Sequence, residues 1–387
     1  MTTPIRVLSL IPTFWPRQGG AQMVLTAIAQ SLGTRIENTV LTRGYADCPT
    51  HERYPDFTVE RYRNPAPEWW KDYAAGKRHV PFPAKACVGV LDVLGALPPL
   101  RRAARQADLI HVHFPLPLGL SAMALSRKRR PPLVVTTHGN GDIYELPRKL
   151  APLTRAVLRS ADAVVSVSED LATHLAREFG VDGATVVPNG VDTNLYAPAP
   201  RAASETITLL SVSRIVPRKN IDVLITAVQA LASEGEPIEL IIAGTGPAKD
   251  DVARMAAKSP ATRFLGFVDE ERKRELLQQA DAFVQLSIRE GLSIATLEAL
   301  ATGVPCVVSD LPGVREPITP GETGYLVPDP ESVASVTDVL RRLLAERDSL
   351  PEMRLAARHA AETRFSHQVM ADAYYRIYCQ VLNRGTP

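Results

Sequence analysis

The sequence lacks several features that would assign a protein to a class at once. Its 387 residues include four cysteines and no CxxC pair, so we expect neither a disulfide framework nor a structural zinc site. No run of about 18 or more apolar residues is present, so we expect no transmembrane helix. The first residues lack the basic region, long apolar core and cleavage site of a signal peptide. These absences lead us to expect a cytoplasmic protein.

Neither sign of charge dominates, because the sequence has 44 Lys and Arg and 42 Asp and Glu, which gives a net charge of +2. The balance is uneven along the chain: residues 1–200 hold 23 basic and 17 acidic residues (+6), and residues 201–387 hold 21 and 25 (−4). Scattered surface charge is one interpretation. Peripheral contact of the basic half with an anionic membrane, on its inner face, or with an acidic acceptor is another. The small net charge and the lack of a nucleic-acid-binding motif argue against nucleic acid as a partner.

Strand and helix patterns alternate along the chain in two series. Apolar strand-like runs alternate with amphipathic helical runs before and after a Pro-rich junction at residues 197–200. Alternation of this kind predicts parallel sheets covered by helices on both faces, and the length suits two domains. We therefore predict an α/β fold of two doubly wound Rossmann-like domains facing an interdomain cleft. Ligands of such sheets bind beyond the carboxyl ends of the strands.

Two glutamates, Glu290 and Glu298, lie eight positions apart where a helix is predicted to begin after Glu290. Eight helical positions span roughly 12 Å, which suits the two ends of one elongated ligand such as a sugar nucleotide. A helical glutamate is more often a solvated surface residue. This helix, however, is apolar on more than one face and so predicted to be buried, and a buried glutamate needs polar partners.

The spacing Glu290-x7-Glu298, followed by Ala299-x-Ala-x-Gly-x-Pro305, resembles the signature of glycosyltransferase family 4. The resemblance implies a retaining glycosyltransferase of the GT-B fold that uses a nucleotide-sugar donor and needs no metal or other cofactor. It also implies an acceptor-side domain at residues 1–196, a nucleotide-sugar-binding domain at 205–366, and a terminal helix at about 367–387 that crosses back onto the first domain.

Two further motifs lie where a predicted strand ends. Gly19 and Gly20 open the first helix, where backbone N–H groups can approach an anion closely, although a plain flexible turn explains them equally well. Arg214 and Lys219 follow the first strand of the second series, and fixed cations there would stabilise a departing diphosphate. The resemblance places the glycines beneath the donor's phosphates and sugar, and the two cations at its pyrophosphate.

Histidines end two strands of the first series. His138 lies at the carboxyl end of the strand at residues 133–137, where the resemblance implies contact with the donor sugar. A structural histidine is the competing interpretation. We expect His111 and His113 to point to opposite faces of their strand and so not to share a metal ion. The predicted catalytic set is thus His138, Arg214, Lys219 and Glu290.

The remaining site residues come from the resemblance alone. It assigns the ribose hydroxyls to Glu298, the transferred sugar to Glu290, and a main-chain contact with the base to Val268. Sugar hydroxyls and diphosphate would meet the backbone N–H groups of Gly291, Leu292, Ser293 and Ile294. Family members often carry Phe-Gly where this chain has Leu292 and Ser293. The backbone role survives that change, whereas the sugar preference is in question.

These residues predict retaining transfer of a sugar from a nucleotide-sugar donor to an acceptor hydroxyl, in polysaccharide, glycolipid or secondary-metabolite assembly. A UDP-sugar is favoured as the donor, and GDP-mannose is second. The Trp-rich segment at residues 67–73 is a candidate for the acceptor site or for a membrane interface. Two alternatives remain: a sugar-nucleotide epimerase or phosphorylase of the same fold, and a non-catalytic sugar-nucleotide-binding protein.

Overall fold

The computed structural model describes residues 3–16, 19–45, 47–63, 82–125, 130–200 and 204–383. The segment at residues 67–73, the basic residues 77 and 78, and residues 127–129 lie outside this part of the chain. The strands within it are β1 (Ile5–Leu10), β2 (Ile36–Arg43), β3 (His51–Arg53), β4 (Phe57–Tyr62), β5 (Leu109–His113), β6 (Leu133–Thr137), β7 (Ala163–Ser166), β8 (Thr185–Val186), β9 (Ile207–Val212), β10 (Ile238–Ala243), β11 (Thr262–Phe264), β12 (Ala282–Gln285), β13 (Cys306–Ser309) and β14 (Gly324–Val327). The α-helices are α1 (Gly20–Leu32), α2 (Phe82–Ala103), α3 (Leu118–Met123), α4 (Ala151–Ser160), α5 (Glu169–His174), α6 (Ile221–Ser233), α7 (Lys249–Ala256), α8 (Glu270–Gln279), α9 (Ile294–Ala301), α10 (Val333–Ala345), α11 (Leu350–Arg364) and α12 (His367–Val381).

The chain divides into two compact units. The first unit comprises Met1–Gly190 and His367–Pro387, and the second comprises Val191–Ser366. The domain boundary predicted from the sequence is residue 196, and the first compact unit ends at Gly190. Residues 191–196 belong to the second unit because Val191 donates its N–H to the Phe365 carbonyl at 2.8 Å, and the Arg358 guanidinium binds the Tyr196 carbonyl at 2.8 Å.

The sheet of the first unit has the strand order β3-β4-β2-β1-β5-β6-β7-β8. Its pairs are parallel except for β3 with β4. The strands at the centre of the sheet are buried along their whole length, as in β5 and β6, which is the pattern of a parallel sheet covered on both faces. Strand β1 lies inside the sheet. The strands β2, β4 and β3 extend from it on one side and β5 to β8 on the other, so the strand order reverses between β1 and β5.

The sheet of the second unit is parallel throughout, with the order β11-β10-β9-β12-β13-β14. Its core is built from the apolar faces of β9, β10 and β12 and of the helices α6 and α10 that pack on them. The strand order reverses between β9 and β12. Two parallel sheets with helical connections confirm the predicted α/β class of two doubly wound Rossmann-like units. The strand β14 was not predicted from the sequence.

The last helix, α12, belongs to the first unit, where it packs against α1. The phenol oxygen of Tyr378 lies 2.8 Å from His111 Nδ1, and that of Tyr374 lies 3.2 Å from the Thr136 hydroxyl. Both tyrosines are fully buried. The helix is therefore tied to β5 and β6 by hydrogen bonds that a surface helix would not make.

Candidate active-site residues in the two units

In the second unit, the candidate residues cluster in the loops that follow β9 and β12. These strands are neighbours and flank the point where the strand order reverses. The loop after β9 carries Arg214 and Lys219, and the loop after β12 carries Glu290. In open parallel sheets, ligands bind at this edge and at this topological position. The topology thus brings together, at one edge of the sheet, residues that are about 70 positions apart in sequence (|i−j| of 71 for Lys219 and Glu290).

Asn220 fixes the loop that carries Lys219. It adopts a left-handed conformation (φ 50°), which Asn tolerates better than most residues. Its buried side-chain amide donates to the carbonyls of Leu286 and Pro330, each at 3.1 Å. Because Leu286 directly follows β12, this bond connects the two loops. The position of the Lys219 side chain is thereby coupled to the loop of Glu290.

Lys219 and Glu290 form a buried ion pair. Lys219 Nζ lies 2.5 Å from Glu290 Oε1, and both side chains are only 10% exposed. The Arg218 guanidinium lies 3.3 Å from the same oxygen. Burial lowers the pKa of Lys219, an effect that the Glu290 charge only partly offsets. For Glu290, burial would raise the pKa, but Lys219, Arg218 and the Ser287 hydroxyl together outweigh burial and lower it. Glu290 is therefore ionised at neutral pH. Arg218 was not predicted as a site residue, although its position directly before Lys219 in the sequence could have indicated it.

Arg214 differs from Lys219 in its surroundings. Its side chain is exposed, and within the described ranges it forms no ion pair. The backbone around it is held against the turn after β10, because a Cβ on Gly244 would lie 1.9 Å from the Ser213 carbonyl oxygen, and one on Gly246 would lie 2.1 Å from that of Ile215. The Gly-x-Gly sequence is thus required by close backbone packing beneath the Arg214 loop. Arg214 itself is a cation open to a ligand.

The helix α9 begins at Ile294, later than the sequence indicated. Ser293 caps it, since its hydroxyl accepts the Thr296 N–H at 3.3 Å and donates to Gln285 Oε1 at 2.7 Å. Glu290, Gly291 and Leu292 therefore precede the helix rather than open it, which corrects the prediction that a helix begins after Glu290. Of the four predicted backbone donors, Ile294 alone belongs to the first turn. Serine side chains commonly bind a nearby backbone N–H in this way, which favours the cap position over the helix interior and explains why Ser293 is not part of α9.

Gly313 supports the Glu290 segment from behind. It has φ 74°, and a Cβ there would lie 2.4 Å from the Glu290 carbonyl oxygen and 3.1 Å from that of Gly291. A left-handed backbone and this close approach both demand glycine. No local sequence pattern connects Gly313 with Glu290.

Glu298 lies in the second turn of α9 with its side chain buried. Its Oε1 accepts a hydrogen bond from Lys273 Nζ, on α8, at 2.9 Å. Burial raises the pKa of Glu298 to about 7, and the Lys273 charge opposes that rise. Lys273 was not predicted as a site residue. Its spacing of three and four from the buried Leu276 and Leu277 places it on the inner face of α8, which was the available signal.

Val268 is partly buried and lies just before Asp269, whose side chain caps α8 by accepting the Arg272 N–H at 2.8 Å. The segment follows β11, at the same edge of the sheet as the loops after β9 and β12. The neighbouring Phe267 is 77% exposed. The structure therefore places Val268 at the edge of the sheet where the strands end, and its main-chain contact with a base stays a prediction.

In the first unit, Gly19 directly precedes α1 and Gly20 is its first residue, beyond the end of β1 at the reversal of strand order. Gly19 has extended backbone angles and acts as the N-cap of α1 without a side chain to satisfy the helix N–H groups. Gln22 braces the segment by donating to the Thr13 carbonyl at 2.9 Å. The N-terminal backbone of α1 is thus left uncapped by side chains, as an anion-binding helix end requires.

His138 follows β6 and contacts the last residue of β5. Its Nε2 lies 3.3 Å from His113 Nδ1, and the two rings are stacked at 5.5 Å between centroids. Asp142 accepts the backbone N–H of His138 at 2.9 Å and so shapes the turn that carries it. Burial lowers the pKa of His138 to about 3 and raises that of Asp142 to about 6. His138 is therefore neutral at physiological pH. Asp142 was missed by the sequence analysis.

The expectation that His111 and His113 point to opposite faces is wrong. Their ring centroids lie 4.1 Å apart, because residues two apart on a strand share a face. Both ring nitrogens of His111 are nevertheless hydrogen-bonded, Nδ1 with the Tyr378 hydroxyl and Nε2 with the Thr136 hydroxyl, each at 2.8 Å. In the described part of the chain, no group of three or more His, Cys, Asp or Glu side chains could hold a metal ion.

The proton between His113 and His138 can be placed by counting hydrogen bonds. His113 Nε2 is buried and has no hydrogen-bond partner among the residues that the structure describes. An unpaired buried N–H is rarer than an unpaired acceptor, so the proton of His113 belongs on Nδ1, where it is donated to His138 Nε2. His138 then carries its own proton on Nδ1. This arrangement makes His138 a neutral hydrogen-bond donor.

The basic run at residues 127–130 can be followed only at its last member. Arg130 is 5% exposed and lies 3.2 Å from Asp162, and it also donates to the Ser160 carbonyl at 3.1 Å. Its charge is therefore matched inside the first unit and contributes little to a membrane-binding surface. Within the described ranges, no helix is both long and apolar enough to cross a bilayer.

Comparison with known proteins follows the same division of the chain. Residues 18–195 match the sequence profile described as Glycosyltransferase Family 4, and residues 193–363 match that described as Glycosyl transferases group 1. The chain is 31% identical over 284 residues to a phosphatidyl-myo-inositol mannosyltransferase of Mycobacterium leprae, covering 72% of this chain and 75% of the relative.

A second relative, from Mycobacterium tuberculosis, is named GDP-mannose-dependent alpha-(1-6)-phosphatidylinositol monomannoside mannosyltransferase. It is 29% identical over 389 residues, covering 91% of this chain and 92% of the relative. Among solved structures, sucrose-phosphate synthase from Thermosynechococcus elongatus superposes with a TM-score of 0.79 at 19% identity, over 98% of this chain and 99% of that one. That likeness shows the fold.

The two Rossmann-like units, the residues at their strand ends and these matches define a glycosyltransferase of the GT-B fold. The chain belongs to glycosyltransferase family 4.

Proposed function

We propose that this glycosyltransferase moves mannose from GDP-mannose to an acceptor hydroxyl with retention of anomeric configuration. The observation that carries the site assignment is the cluster at the strand-order reversal of the second unit, where Lys219, Arg218 and Glu290 meet in the loops after β9 and β12. The donor assignment is supported by the name of the M. tuberculosis relative, which covers most of this chain. It reverses the order favoured by the sequence, which put UDP-sugars first.

The donor binds to the second unit at three points. Glu298 accepts hydrogen bonds from the ribose hydroxyls, and the main chain at Val268 contacts the base. Lys219, Arg214 and the N-terminal backbone of α9 bind the diphosphate, so that Lys219 shares its charge between Glu290 and the phosphate oxygens. The departing diphosphate gains negative charge as the glycosidic bond breaks, and these fixed donors stabilise it. No metal or other cofactor is part of this proposal.

The transferred sugar is held through hydrogen bonds from its hydroxyl groups. Glu290 and the backbone of Gly291, Leu292 and Ser293 contact it, and His138 contributes its Nδ1–H. Because burial lowers the pKa of His138 to about 3, His138 is a weak base, and its role is to donate a hydrogen bond to the sugar rather than to remove a proton. The acceptor oxygen attacks from the face that the diphosphate leaves, and a phosphate oxygen of the leaving group takes the acceptor proton. The diphosphate takes the electron pair of the broken C–O bond.

The acceptor is proposed only by class. Relatives named for phosphatidylinositol-linked substrates make a lipid-linked acceptor the first choice, with polysaccharide next. A lipid-linked acceptor would bring the enzyme to an anionic membrane surface, in agreement with the basic excess of residues 1–200. Arg130 does not contribute to that surface, because it is buried against Asp162.

Donor hydrolysis by the purified protein tests this proposal. GDP-mannose and several UDP-sugars are supplied without acceptor, and nucleotide release is followed by chromatography. We expect slow GDP release from GDP-mannose that falls at least about a hundredfold in Lys219→Ala and Glu298→Ala, since each removes a charged contact at the donor. Lys258→Ala, an exposed lysine of the same unit, is the matched control, and thermal melting checks that each variant is folded.

Other outcomes discriminate among the remaining functions. Turnover of a UDP-sugar in place of GDP-mannose would replace the donor and keep the transferase. An isomerised sugar nucleotide would indicate an epimerase. With acceptor present, an α-mannoside product establishes retention, and a β-mannoside contradicts it. A folded protein that binds none of the donors would contradict the proposal.

A further inference from the structure

Lys273 is a partly buried lysine whose side chain, among the residues that the structure describes, contacts two glutamates and an aromatic ring. Its Nζ lies 2.9 Å from Glu298 Oε1, 3.0 Å from Glu270 Oε1 and 5.3 Å from the centroid of the Tyr196 ring. The side chains of Lys273 and Glu298 are 14% and 4% exposed, whereas that of Glu270 is 54% exposed. One ammonium thus lies between a buried carboxylate and a solvated one.

Among the residues that the structure describes, few other charges surround Glu298. On α11, which packs against α9, the guanidinium groups of Arg354 and Arg358 bind the carbonyls of Gly303 and Ala301 at the other end of the helix. On β13, burial raises the pKa of the Cys306 thiol, which is therefore uncharged, and Gln285 of β12 carries no charge. Lys273 is the cation that compensates the buried carboxylate of Glu298, and Glu270 is the anion that competes for it.

We propose that Lys273 is the positioning residue of the ribose site: it holds Glu298 ionised and fixes its Oε1, leaving Oε2 to accept a ribose hydroxyl, while Glu270 draws part of the lysine's charge away. This inference rests on the proposed role of Glu298 at the ribose. Without Lys273, a carboxyl group with so little exposure is more stable protonated. Ribose recognition is therefore pH-dependent near neutrality, in agreement with the raised pKa of Glu298.

The sign of the pH dependence follows from the hydrogen bonds. A carboxylate accepts stronger hydrogen bonds from hydroxyl groups than an uncharged carboxyl group does. Binding of a nucleoside diphosphate with an intact ribose should strengthen as the pH rises through the pKa of Glu298. Binding of the 2′,3′-dideoxy analogue, which lacks both hydroxyls, should not show that rise. The ratio of the two dissociation constants isolates the contribution of the ribose.

The experiment measures that ratio for GDP and 2′,3′-dideoxy-GDP, by calorimetry on the full-length protein between pH 5.5 and 8.5. In the wild type, we expect the preference for GDP to increase about tenfold with a midpoint near pH 7. Lys273→Met keeps the apolar stem and should move the midpoint up by roughly one pH unit or more, the usual effect of losing an opposite charge. Lys273→Arg keeps the positive charge and should therefore keep the wild-type midpoint.

Glu270→Gln provides the opposite perturbation. Removing the competing carboxylate should move the midpoint down, by less than Lys273→Met moves it up, because Glu270 is half-exposed and its charge is screened. Glu275→Gln is the matched control: it removes the same charge from the same helix, where Glu275 pairs with Arg272 at 2.6 Å among exposed side chains, and should leave the midpoint unchanged. A purely structural role of Lys273 does not produce shifts of opposite sign.

Three failures are distinguishable. A wild type that prefers GDP over its dideoxy analogue, with the same midpoint in folded Lys273→Met, would overturn the role of Lys273 and leave the proposed function intact. A wild type that binds neither GDP nor UDP would overturn the proposed function and this inference together. Equal binding of GDP and dideoxy-GDP at every pH would overturn the ribose role of Glu298, and the inference with it.

Discussion

At the scale of single residues, the candidate site depends on charges that are buried together with their partners. Lys219 with Glu290, and Lys273 with Glu298, are both pairs in which removing one member leaves the other charge without its nearest compensation. Such a truncation typically costs about 3–5 kcal/mol, whereas the pair itself contributes little net stability. Residues kept in this costly arrangement are better explained by function than by folding.

His113 offers a residue-scale prediction about protonation. If it donates its Nδ1 proton to His138 Nε2, then His138 carries its proton on Nδ1 and stays neutral between pH 5 and 8, because burial lowers its pKa to about 3. Nitrogen-15 NMR of histidine-labelled protein distinguishes the two tautomers, and His138→Asn identifies the signal. We expect the Nδ1–H form in the wild type and a mixture of tautomers in His113→Phe. Donor turnover in His113→Phe should fall roughly threefold to tenfold, the usual effect of losing one hydrogen bond.

His51→Phe is the matched control for this measurement, because His51 is exposed on β3 and makes no contact with His138. It should change neither the His138 signal nor turnover. An Nε2–H tautomer of His138 in the wild type would contradict the assignment. A His138 signal that titrates near pH 6.5 would contradict the effect of burial on its pKa.

At the scale of elements, the N-terminus of α9 connects stability with ligand binding. Ser293 caps α9 and Ser332 caps α10, each by accepting the N–H three residues later at 3.3 Å. Ser293→Ala and Ser332→Ala should each lower the free energy of unfolding by about 1 kcal/mol, as loss of such a cap usually does. Only Ser293→Ala should weaken binding of GDP-mannose, since its hydroxyl also binds Gln285 and orders the loop of Glu290.

Denaturant unfolding and donor titration of the two variants measure both effects. Equal losses of donor affinity would show that the effect comes from lowered stability rather than from the α9 cap. An unchanged affinity in Ser293→Ala would remove the helix N-terminus from the donor site.

The sequence predicted the elements better than their ends. The alternation of apolar strands and amphipathic helices was sufficient for the two α/β units, which are confirmed, because buried parallel strands leave long apolar runs. The start of α9 was misplaced, since Gly291 indicated a helix start, whereas the hydrogen bonds of Ser293 decide it. The assignment of residues 191–196 to the second unit depends on Arg358, far along the chain, binding the carbonyls of residues 193 and 196, and local sequence patterns do not show such a contact.

The site shows the same limit. The positions of Lys219 and Glu290 at strand ends could be predicted from local pattern, and the roles assigned to them stay predictions. The contacts of Lys273, Asn220 and Asp142 could not, because each depends on which face of a helix or turn meets a neighbour distant in sequence. Periodicity gives a face, but it does not name the partner.

At the scale of the whole molecule, the first unit is discontinuous in sequence and the second is continuous. The first unit depends on α12, in which Tyr374 and Tyr378 are fully buried and bind Thr136 and His111. Truncating one buried aromatic side chain costs about 3–5 kcal/mol, and a domain is stable by only about 5–15 kcal/mol. Deleting residues 367–387 should therefore unfold the first unit and spare the second.

Hydrogen–deuterium exchange, read strand by strand, measures this difference. In the truncated chain, the amides of β1, β5 and β6 should exchange rapidly, while those of β9, β10 and β12 keep their protection. Deleting only residues 384–387 leaves α12 intact and should change neither set. Protection of β5 in the truncated chain would contradict the prediction, since His111 and Thr136 would then be ordered without their tyrosine partners. Loss of protection in both sets would show that the continuous segment 191–366 does not fold without the first unit, so that its apolar core alone is insufficient for stability.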